Sequence, residues 1–500
     1  MSQQSPQDPQ DQDGQSGTDG TQARDGDGAR EGTAEEKELK RLRADRSFLG
    51  YPMGIAPLTA CNFFNSICWG AYGAVLIYYL YKPWTQGLGF TQGEAAQLVA
   101  AVGAINSVFS IVGSWLADRI FGARKAMIIG NIAKGVSCGL LALPAFSLEQ
   151  GRVFAVVGMI LMNLPIMGAS SAALTGLLFD RKDSRRDGAF AMFTIANNIA
   201  GFITPVIAAQ LGQINYHYGF LIGAIAAFLI AACIGLPGKR IFGSFGSKPS
   251  RPLSAAEKKK YGLGALAVVA VLAIAIAIAV GSGKATIGTF ASTVSSFTFV
   301  IAIAFFAIIW RSKRIQGVER RRLAAVSPLI VMQIVIGVDY AMQGTTLLMF
   351  LDQRINRNFF GFEIAPGSFN TIIAVIGLLS GIFYSWLWAT KLGDKWKSVD
   401  RLWFGFAFSG ISSNFGGFPY GVAATSMVAA ASPKSYEAQL QTGFTLSAAI
   451  GTAISLIIFG QLQTLESQLP LFWIIAILEL AVSVLIFLFR NKMQNAIMAE

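Results

Sequence analysis

Long apolar runs recur along most of this 500-residue chain. A helix of about twenty apolar residues is long enough to cross a hydrocarbon core of about 30 Å. Lipid offers the backbone no hydrogen-bonding partner, so each run must satisfy its own N–H and C=O groups by forming a helix. Thirteen such runs can be counted: 56–80, 95–117, 126–146, 153–179, 189–212, 218–236, 262–281, 287–310, 326–351, 368–390, 402–431, 439–460 and 470–489. The chain is therefore predicted to be an all-α polytopic membrane protein with about 13–14 spans.

The composition and the distribution of charge agree with this class. Of all residues, 53% are hydrophobic and only 14% are charged, whereas soluble domains carry about 25% charged residues. The net charge is +12, and the basic residues form short clusters at 37–46, 119–125, 181–186, 239–260, 311–322 and 391–401. These clusters separate alternate runs, so they and the N-terminus are expected on the cytoplasmic side of the cell membrane. Because every cluster adjoins a span, the lipid bilayer is the expected partner and nucleic acid is not.

The chain divides into four parts by composition. Residues 1–46 are rich in Gln, Asp, Gly and Ser with few large apolar side chains, so a disordered cytoplasmic tail is expected. Six runs within 47–236 predict a first helix bundle. A basic linker and two further runs occupy 237–325, and the runs within 326–500 predict a second bundle.

The residues that carry most enzyme chemistry are scarce. All four cysteines lie inside apolar runs, and the single histidine, His217, lies in a predicted external turn. One histidine cannot build a triad or a metal site alone, and the cysteine spacings match no metal-binding pattern or disulfide framework. No phosphate-binding loop of the Walker type is present either. The sequence therefore predicts neither an enzyme nor a bound metal or cofactor.

The start of the first span carries a family resemblance. Residues 50–52, Gly-Tyr-Pro, are similar to the opening of proton-dependent oligopeptide transporters, the POT family of the major facilitator superfamily. In that family a Glu-x-x-Glu-Arg pattern follows, and here Asn62, Asn65 and Ser66 stand at the positions of the two Glu and the Arg. The chain thus resembles a divergent member that lacks the usual first-span charges.

This resemblance implies a fold. The major facilitator fold has two six-helix bundles, and bacterial POT proteins carry an inserted helix pair between them. The order of runs in this chain, six and then two and then a second set, fits that arrangement. Two related halves of parallel repeats are typical of such carriers. A monomer is expected.

The segment 113–125, GSWLADRIFGARK, resembles the facilitator loop motif between the second and third spans. The residues of this gating motif are Gly113, Asp118, Arg119, Gly122, Arg124 and Lys125. The resemblance implies that the Asp meets a helix N-terminus across the bundle, where an acidic group contributes up to about 2 kcal/mol, and that the basic residues hold the cytoplasmic face. The alternative is that the Arg and Lys residues only fix the topology.

Several polar and aromatic residues are candidates for binding substrate. Asn198 lies in a segment, 185–202, that resembles the second family signature, in which this Asn contacts a peptide backbone. An amide offers donors and an acceptor, as a peptide bond requires. The seventh core span keeps part of its family pattern around Gln343, and the first span contributes Asn62, Asn65, Trp69 and Tyr72. Hydrogen bonding and packing between helices are the alternative roles for these residues.

Three ionisable residues lie deep inside predicted spans: Lys134, Asp339 and Glu479. Charged groups inside a membrane are costly and are functional candidates by default. Asp339 is the first choice for proton coupling, because the resemblance places its span along the central cavity. The expected seventh-span Glu is replaced by Ala341. The alternative is a structural ion pair between Asp339 and Lys134.

The function that the residues and the resemblance imply is secondary active transport of small peptides or peptide-like solutes by alternating access, coupled to protons. One alternative is a carrier of the same fold that is uncoupled from protons or exports a non-peptide solute. An alternative of another class is a membrane ligand sensor that transports nothing.

Overall fold

The computed structural model describes residues 37–38, 40–163, 174–175, 178–179, 185–243, 246–249, 253–254, 257, 287–312, 315–388, 396–409, 424, 427–428, 437–462 and 464–498. Its longer helices are α1 Ile55–Tyr81, α2 Gln92–Leu116, α3 Ala123–Ala142, α4 Leu148–Met162, α5 Arg185–Ile214, α6 Tyr216–Gly235, α7 Ile287–Arg311, α8 Val318–Met342, α9 Phe369–Trp388, α10 Ser398–Ser409, α11 Glu437–Gln461 and α12 Pro470–Met498. Short helices cover Gly238–Phe242, Leu348–Gln353 and Leu465–Gln468, and a 3-10 turn covers Pro366–Ser368. The strands β1 Asn358–Phe359 and β2 Phe362–Glu363 form one antiparallel hairpin.

The predicted apolar runs agree with these helices over the described residues, with one exception. Seven helices within the described ranges are long and apolar enough to cross a membrane. The run 153–179 differs, because its helix α4 ends at Met162 and Asn163 closes it by donating its N–H to the carbonyls of Ile160 and Leu161. The run 262–281 and the hairpin expected near Gly416–Gly421 lie outside the described residues.

Local sequence explains where several helices begin. Ser147 accepts a hydrogen bond from the N–H of Gln150, and Asn215 accepts one from the N–H of His217, so both side chains satisfy free donors at a helix start. Gly122 precedes α3 with a φ of 78°, a conformation that side chains other than glycine rarely adopt. Gly122 thus permits the sharp turn after the π-helical turn Ala117–Phe121.

The first half is built around α1, which packs against α5 and α6, while α3 packs against α6 and α4. In the second half α8 packs against α11 and α12, and α10 packs against α12. The halves meet where α2 contacts α11 and where α5 contacts α9. Helix α7, the described member of the inserted pair, contacts both α2 and α11. It therefore touches one helix of each half.

Two glycines bring α8 and α11 unusually close. A methyl group on Gly337 would collide with the carbonyl of Ala448, and one on Gly451 would collide with the carbonyl of Ile334. The hydroxyl of Thr452 lies 3.1 Å from the carbonyl of Ala448 in its own helix and 3.4 Å from the carbonyl of Gly337 on α8, so it can donate to either. Small residues allow this close backbone approach, which is how helices associate in membranes.

The segment before α1 differs from the sequence prediction. Residues 37–38 and 40–44 are helical, although they fall in the part expected to be a disordered tail. Leu42 packs against a buried cluster that includes Ile55 and Phe242, and burial of this apolar side chain gives the segment a place to dock. The Asp45 carboxylate accepts hydrogen bonds from the Ser47 hydroxyl at 2.7 Å and the Met53 N–H at 2.8 Å. These hydrogen bonds hold the pKa of Asp45 below its ordinary value.

Candidate functional site

The structure brings three of the predicted site residues together between α1 and α3. The Lys134 ammonium donates to the side-chain oxygen of Asn65 at 2.9 Å. It also lies 5.5 Å from the centre of the Trp69 ring, within the range of a cation–π contact. Lys134 is buried, whereas Asn65 and Trp69 are half-buried. The position of the second family Glu is thus occupied by an amide that accepts a hydrogen bond from a cation.

The other first-span candidates have more local roles. The Asn62 amide donates to the carbonyl of Leu58, one turn earlier in α1, at 2.8 Å. Tyr72 is buried, and its ring contacts the rings of Trp69 and Phe220 at centroid distances of 6.0 and 6.2 Å. The described contacts of Tyr72 are therefore those of a core residue between α1 and α6.

A side-chain amide of α5 contacts α1, but it belongs to Asn197 and not to its predicted neighbour Asn198. Asn197 accepts a hydrogen bond from the Ser66 hydroxyl at 2.9 Å. Asn198 is exposed instead, one turn before Phe202 on α5. The carbonyl of Phe202 accepts from the Thr371 hydroxyl of the second half at 2.9 Å. Asn198 thus lies on the side of α5 that turns towards the second half.

Asp339 and Gln343 form a pair on the seventh core span, which consists of α8, a π-helical turn and the short helix Leu348–Gln353. The Gln343 amide donates to the Asp339 carboxylate at 2.6 Å. Asp339 is buried, and Gln343 begins a π-helical turn that runs to Leu347. Such turns frequently mark functional sites, because they break the regular register of a helix. Two predicted residues with different assigned roles therefore share one hydrogen bond.

Glu479 is placed elsewhere in the second half. It is buried on α12, one turn before Ser483. The Ser483 hydroxyl donates to the carbonyl of Trp403 at 2.6 Å, which ties α12 to α10 at this level. Within the described residues, no group of three or more His, Cys, Asp or Glu could hold a metal ion.

The gating motif is described only in part, because the surroundings of Gly113 and the side chain of Asp118 are not described. Arg124 donates to the carbonyls of Gly238 at 3.2 Å and Gly243 at 3.0 Å, in the segment that follows α6. Arg119 is half-buried and Lys125 is exposed. The Arg124 side chain therefore holds the linker of its own half at the end of the bundle that carries Gly122.

Sequence reasoning missed a charged cluster at the opposite end of the bundle. Asp352 lies just before the end of the seventh core span, and its carboxylate accepts the Tyr81 hydroxyl in a short hydrogen bond. Lys82 lies 2.6 Å from the same carboxylate oxygen, and Arg357 lies 3.5 Å from the other oxygen. We call Tyr81, Lys82, Asp352 and Arg357 the Asp352 cluster. The sequence does show a cation, Lys82, and a carboxylate, Asp352, each at the end of an apolar run. It does not show that the two form a pair.

The same end holds further contacts between the halves. The Tyr78 hydroxyl donates to the carbonyl of Leu348 at 3.2 Å. Gly367 packs so tightly beneath the carbonyl of Ala74 that a methyl group would collide with it. The end of α1 and the end of the seventh core span are therefore in direct contact, with buried polar atoms paired between them.

Comparisons with known proteins agree with the fold and with this arrangement of helices. A di-/tripeptide transporter of Lactococcus lactis subsp. cremoris is 29% identical over 71% of this chain and 73% of its own length. An uncharacterised transporter, YclF of Bacillus subtilis (strain 168), is 28% identical over 73% of this chain and 74% of its own length. These relatives are transporters, which confirms the expectation that the chain is not an enzyme.

Solved structures confirm the predicted fold class, the major facilitator fold. A peptide transporter POT in complex with sulfate superposes with a TM-score of 0.83 and 24% identity, covering 92% of this chain and 99% of that chain. A POT family transporter in complex with 5-aminolevulinic acid gives a TM-score of 0.82 and 25% identity, covering 90% of this chain and 98% of that chain. The sequence model of the POT family matches residues 127–442. Since that match spans more than half of the chain, this protein belongs to the POT family.

Proposed function

We propose that this protein is a secondary active transporter of small peptides or peptide-like solutes, which works by alternating access and is coupled to protons. The protein lies in the cell membrane with its N-terminus in the cytoplasm, since its basic clusters follow the positive-inside pattern. Relatives named as di-/tripeptide transporters support the substrate class. A neighbour solved with a thioalcohol conjugated peptide supports it as well.

The Asp352 cluster is the observation that best supports alternating access. A carrier of this kind closes one end of its pathway at a time, and closure needs contacts between the halves that can be broken. Lys82 and Tyr81 end the first span, whereas Asp352 and Arg357 belong to the second half. By the charge rule this end is proposed to face outside, where contacts of this kind would close the pathway to the exterior.

The Lys134 group is the proposed place for one end of the substrate. A zwitterionic peptide presents a carboxylate, and a lysine cation held by an amide and an indole face is a suitable partner for it. Asn65 and Trp69, the two side chains that contact the Lys134 ammonium, are half-buried, so each of them is partly accessible. Asn198, on the side of α5 that faces the second half, is proposed to bind the peptide backbone by its amide.

Proton coupling is proposed to use Asp339. The usual first-span carboxylates are Asn62 and Asn65 here, and an amide cannot exchange a proton near neutral pH. Asp339 is a buried carboxylate whose partner, Gln343, is itself a substrate-binding candidate. Substrate that recruits the Gln343 amide would remove a donor from the carboxylate, which links binding to protonation.

The experiment is uptake of a labelled dipeptide into proteoliposomes with an imposed pH gradient and no ATP. The wild type is expected to concentrate the dipeptide, and Asp339→Asn is expected to abolish concentration but retain exchange between inside and outside. Glu479→Gln is the matched comparison, because it neutralises another carboxyl that is buried among the described residues of the second half. Concentration by Asp339→Asn equal to that of the wild type would refute this role of Asp339. Equilibration alone by the wild type would make the chain a facilitator, and binding without any uptake would make it a sensor.

A further inference from the structure

An exposed aromatic hairpin projects from the end of the bundle that carries the Asp352 cluster. Strands β1 and β2 pair Asn358 with Glu363 and Phe359 with Phe362. The side chains of Phe359, Phe360 and Phe362 are 65%, 96% and 61% exposed. Three phenylalanines side by side form an apolar surface that water does not favour, so something is expected to cover them.

The backbone holds this surface in place. Phe360 and Gly361 form the turn with φ angles of 51° and 82°, the left-handed conformation of a tight two-residue hairpin. Glycine or asparagine usually occupies such positions, and a bulky residue there is an outlier. Strain of this kind at an exposed tip indicates that the side chain is used, since it contributes nothing to the core.

The base of the hairpin is fixed to the end of a membrane span. Arg357 contacts Asp352 on the last helical turn, lies 3.0 Å from the Glu363 carboxylate and donates to the carbonyl of Ile364 at 3.0 Å. The N–H of Ile364 in turn donates to the carbonyl of Arg357 at 2.9 Å. The hairpin therefore cannot rise far above the helix end, and its tip stays close to the end of the seventh core span.

Other exposed aromatic side chains lie at the same end of the bundle. They occupy the loops and first helical turns of this end of the bundle: Trp84, Phe146, Tyr218 and Trp473. Membrane proteins carry such a belt of aromatic residues where the hydrocarbon meets the headgroups. These exposed aromatic residues and the hairpin share one end of the bundle.

The charges of the hairpin suit the same environment. Its tip, residues 358–362, contains no ionisable side chain. The flanking charges are paired, with Glu363 on Arg357 and Arg354 on Glu466. Pairing lowers the cost of bringing charged groups near lipid.

We propose that hairpin 358–363 is a membrane anchor, which inserts Phe359, Phe360 and Phe362 into the lipid leaflet at this end of the bundle. Its partner is the boundary between phospholipid headgroups and acyl chains. Because Arg357 binds both the hairpin and Asp352, the anchor ties the end of the seventh core span to the bilayer. Insertion of the tip depends only on the membrane-spanning fold, and it is independent of the transported solute.

The test is a spin label on a single cysteine in full-length protein, reconstituted into vesicles of phosphatidylcholine and phosphatidylglycerol. The label is placed at Phe360→Cys or Phe362→Cys, with Gln86→Cys as the control at an exposed polar site of the same end. A Cys233→Ala background removes the half-buried native thiol, since the other three are buried. Collision of the label with oxygen, which dissolves in lipid, is compared with collision with a nickel complex, which stays in water.

Anchoring predicts that the oxygen-to-nickel collision ratio at Phe360→Cys rises several-fold over that at Gln86→Cys. A ratio equal to the control would place the tip in water and overturn the proposal. A label shielded from both reagents would mean that protein covers the tip, and this also overturns it. Phe362 lies in a strand with ordinary backbone angles. If the turn does not tolerate cysteine at Phe360, the collision ratio at Phe362→Cys provides the test instead.

Discussion

At the scale of single residues, Lys134 is the side chain whose role is most open to a direct test. A buried cation is costly unless it is paired and hydrogen-bonded, and this one has Asn65 at 2.9 Å and the Trp69 ring at 5.5 Å. A lysine that only joins two helices would contribute to stability. A lysine that also receives the substrate carboxylate would contribute to affinity.

We predict that Lys134→Met weakens dipeptide binding by roughly 10- to 100-fold, since a charged hydrogen bond contributes about 1.5–3 kcal/mol. Methionine keeps the length and removes the charge, so the fold should be preserved. Binding is measured by calorimetry in detergent, with Tm recorded on the same samples. Lys125→Met is the control, because that lysine is exposed on the same helix. Unchanged affinity with a lowered Tm would assign Lys134 to the scaffold alone.

The predicted sites show how far residue types can be interpreted without coordinates. The lengths of the apolar runs predicted where α1 and α5 lie, because lipid forces any such run to become a helix. It could not tell which face of a helix meets which neighbour. Asn197 rather than Asn198 contacts Ser66, and one position along a helix turns a side chain by about 100°. The contact between Asp352 and Tyr81 could not be predicted, because the two residues lie 271 positions apart in the sequence.

At the scale of elements, the contact between α8 and α11 has the least room for change. Gly451 faces the carbonyl of Ile334 and the Cα of Gly337, and backbone atoms cannot rotate away as a side chain can. We predict that Gly451→Ala destabilises the protein by about 1–3 kcal/mol, the usual cost of overpacking. Separation of the two helices would also displace Asp339, which lies two residues after Gly337.

The comparison is the shift in Tm between Gly451→Ala and Gly139→Ala in the same detergent. A methyl group on Gly139 of α3 would meet no atom within 4 Å, so that change should be neutral or stabilising. Alanine also has a higher helix propensity than glycine, which applies equally to both sites. Equal Tm values for the two variants would show that α8 and α11 separate without cost.

At the scale of the whole molecule, the Asp352 cluster is predicted to set the balance between the two closed states. Its carboxylate serves one hydroxyl and two cations from opposite halves, so Asp352→Asn removes this counter-charge from Lys82 and leaves Arg357 with Glu363 alone. Removal of one partner from a buried ion pair typically costs about 3–5 kcal/mol. A change of about 5.5 kcal/mol moves a two-state equilibrium from 1:99 to 99:1. The cost of the substitution falls short of that full reversal, but it is large enough to populate a state that is open at this end of the molecule.

We predict that Asp352→Asn adds a long-distance population between spin labels at Gln86→Cys and Gln461→Cys, measured by pulsed electron resonance in nanodiscs. These two exposed positions lie on different halves at this end. Lys492→Gln is the control, since it removes an exposed charge at the opposite end and should leave the distances unchanged. The opened protein should also take up dipeptide more slowly, because a carrier held in one state completes fewer cycles. A distance distribution in Asp352→Asn that matches the wild type would mean that apolar contacts such as Gly367 beneath Ala74 hold the end closed without the charges.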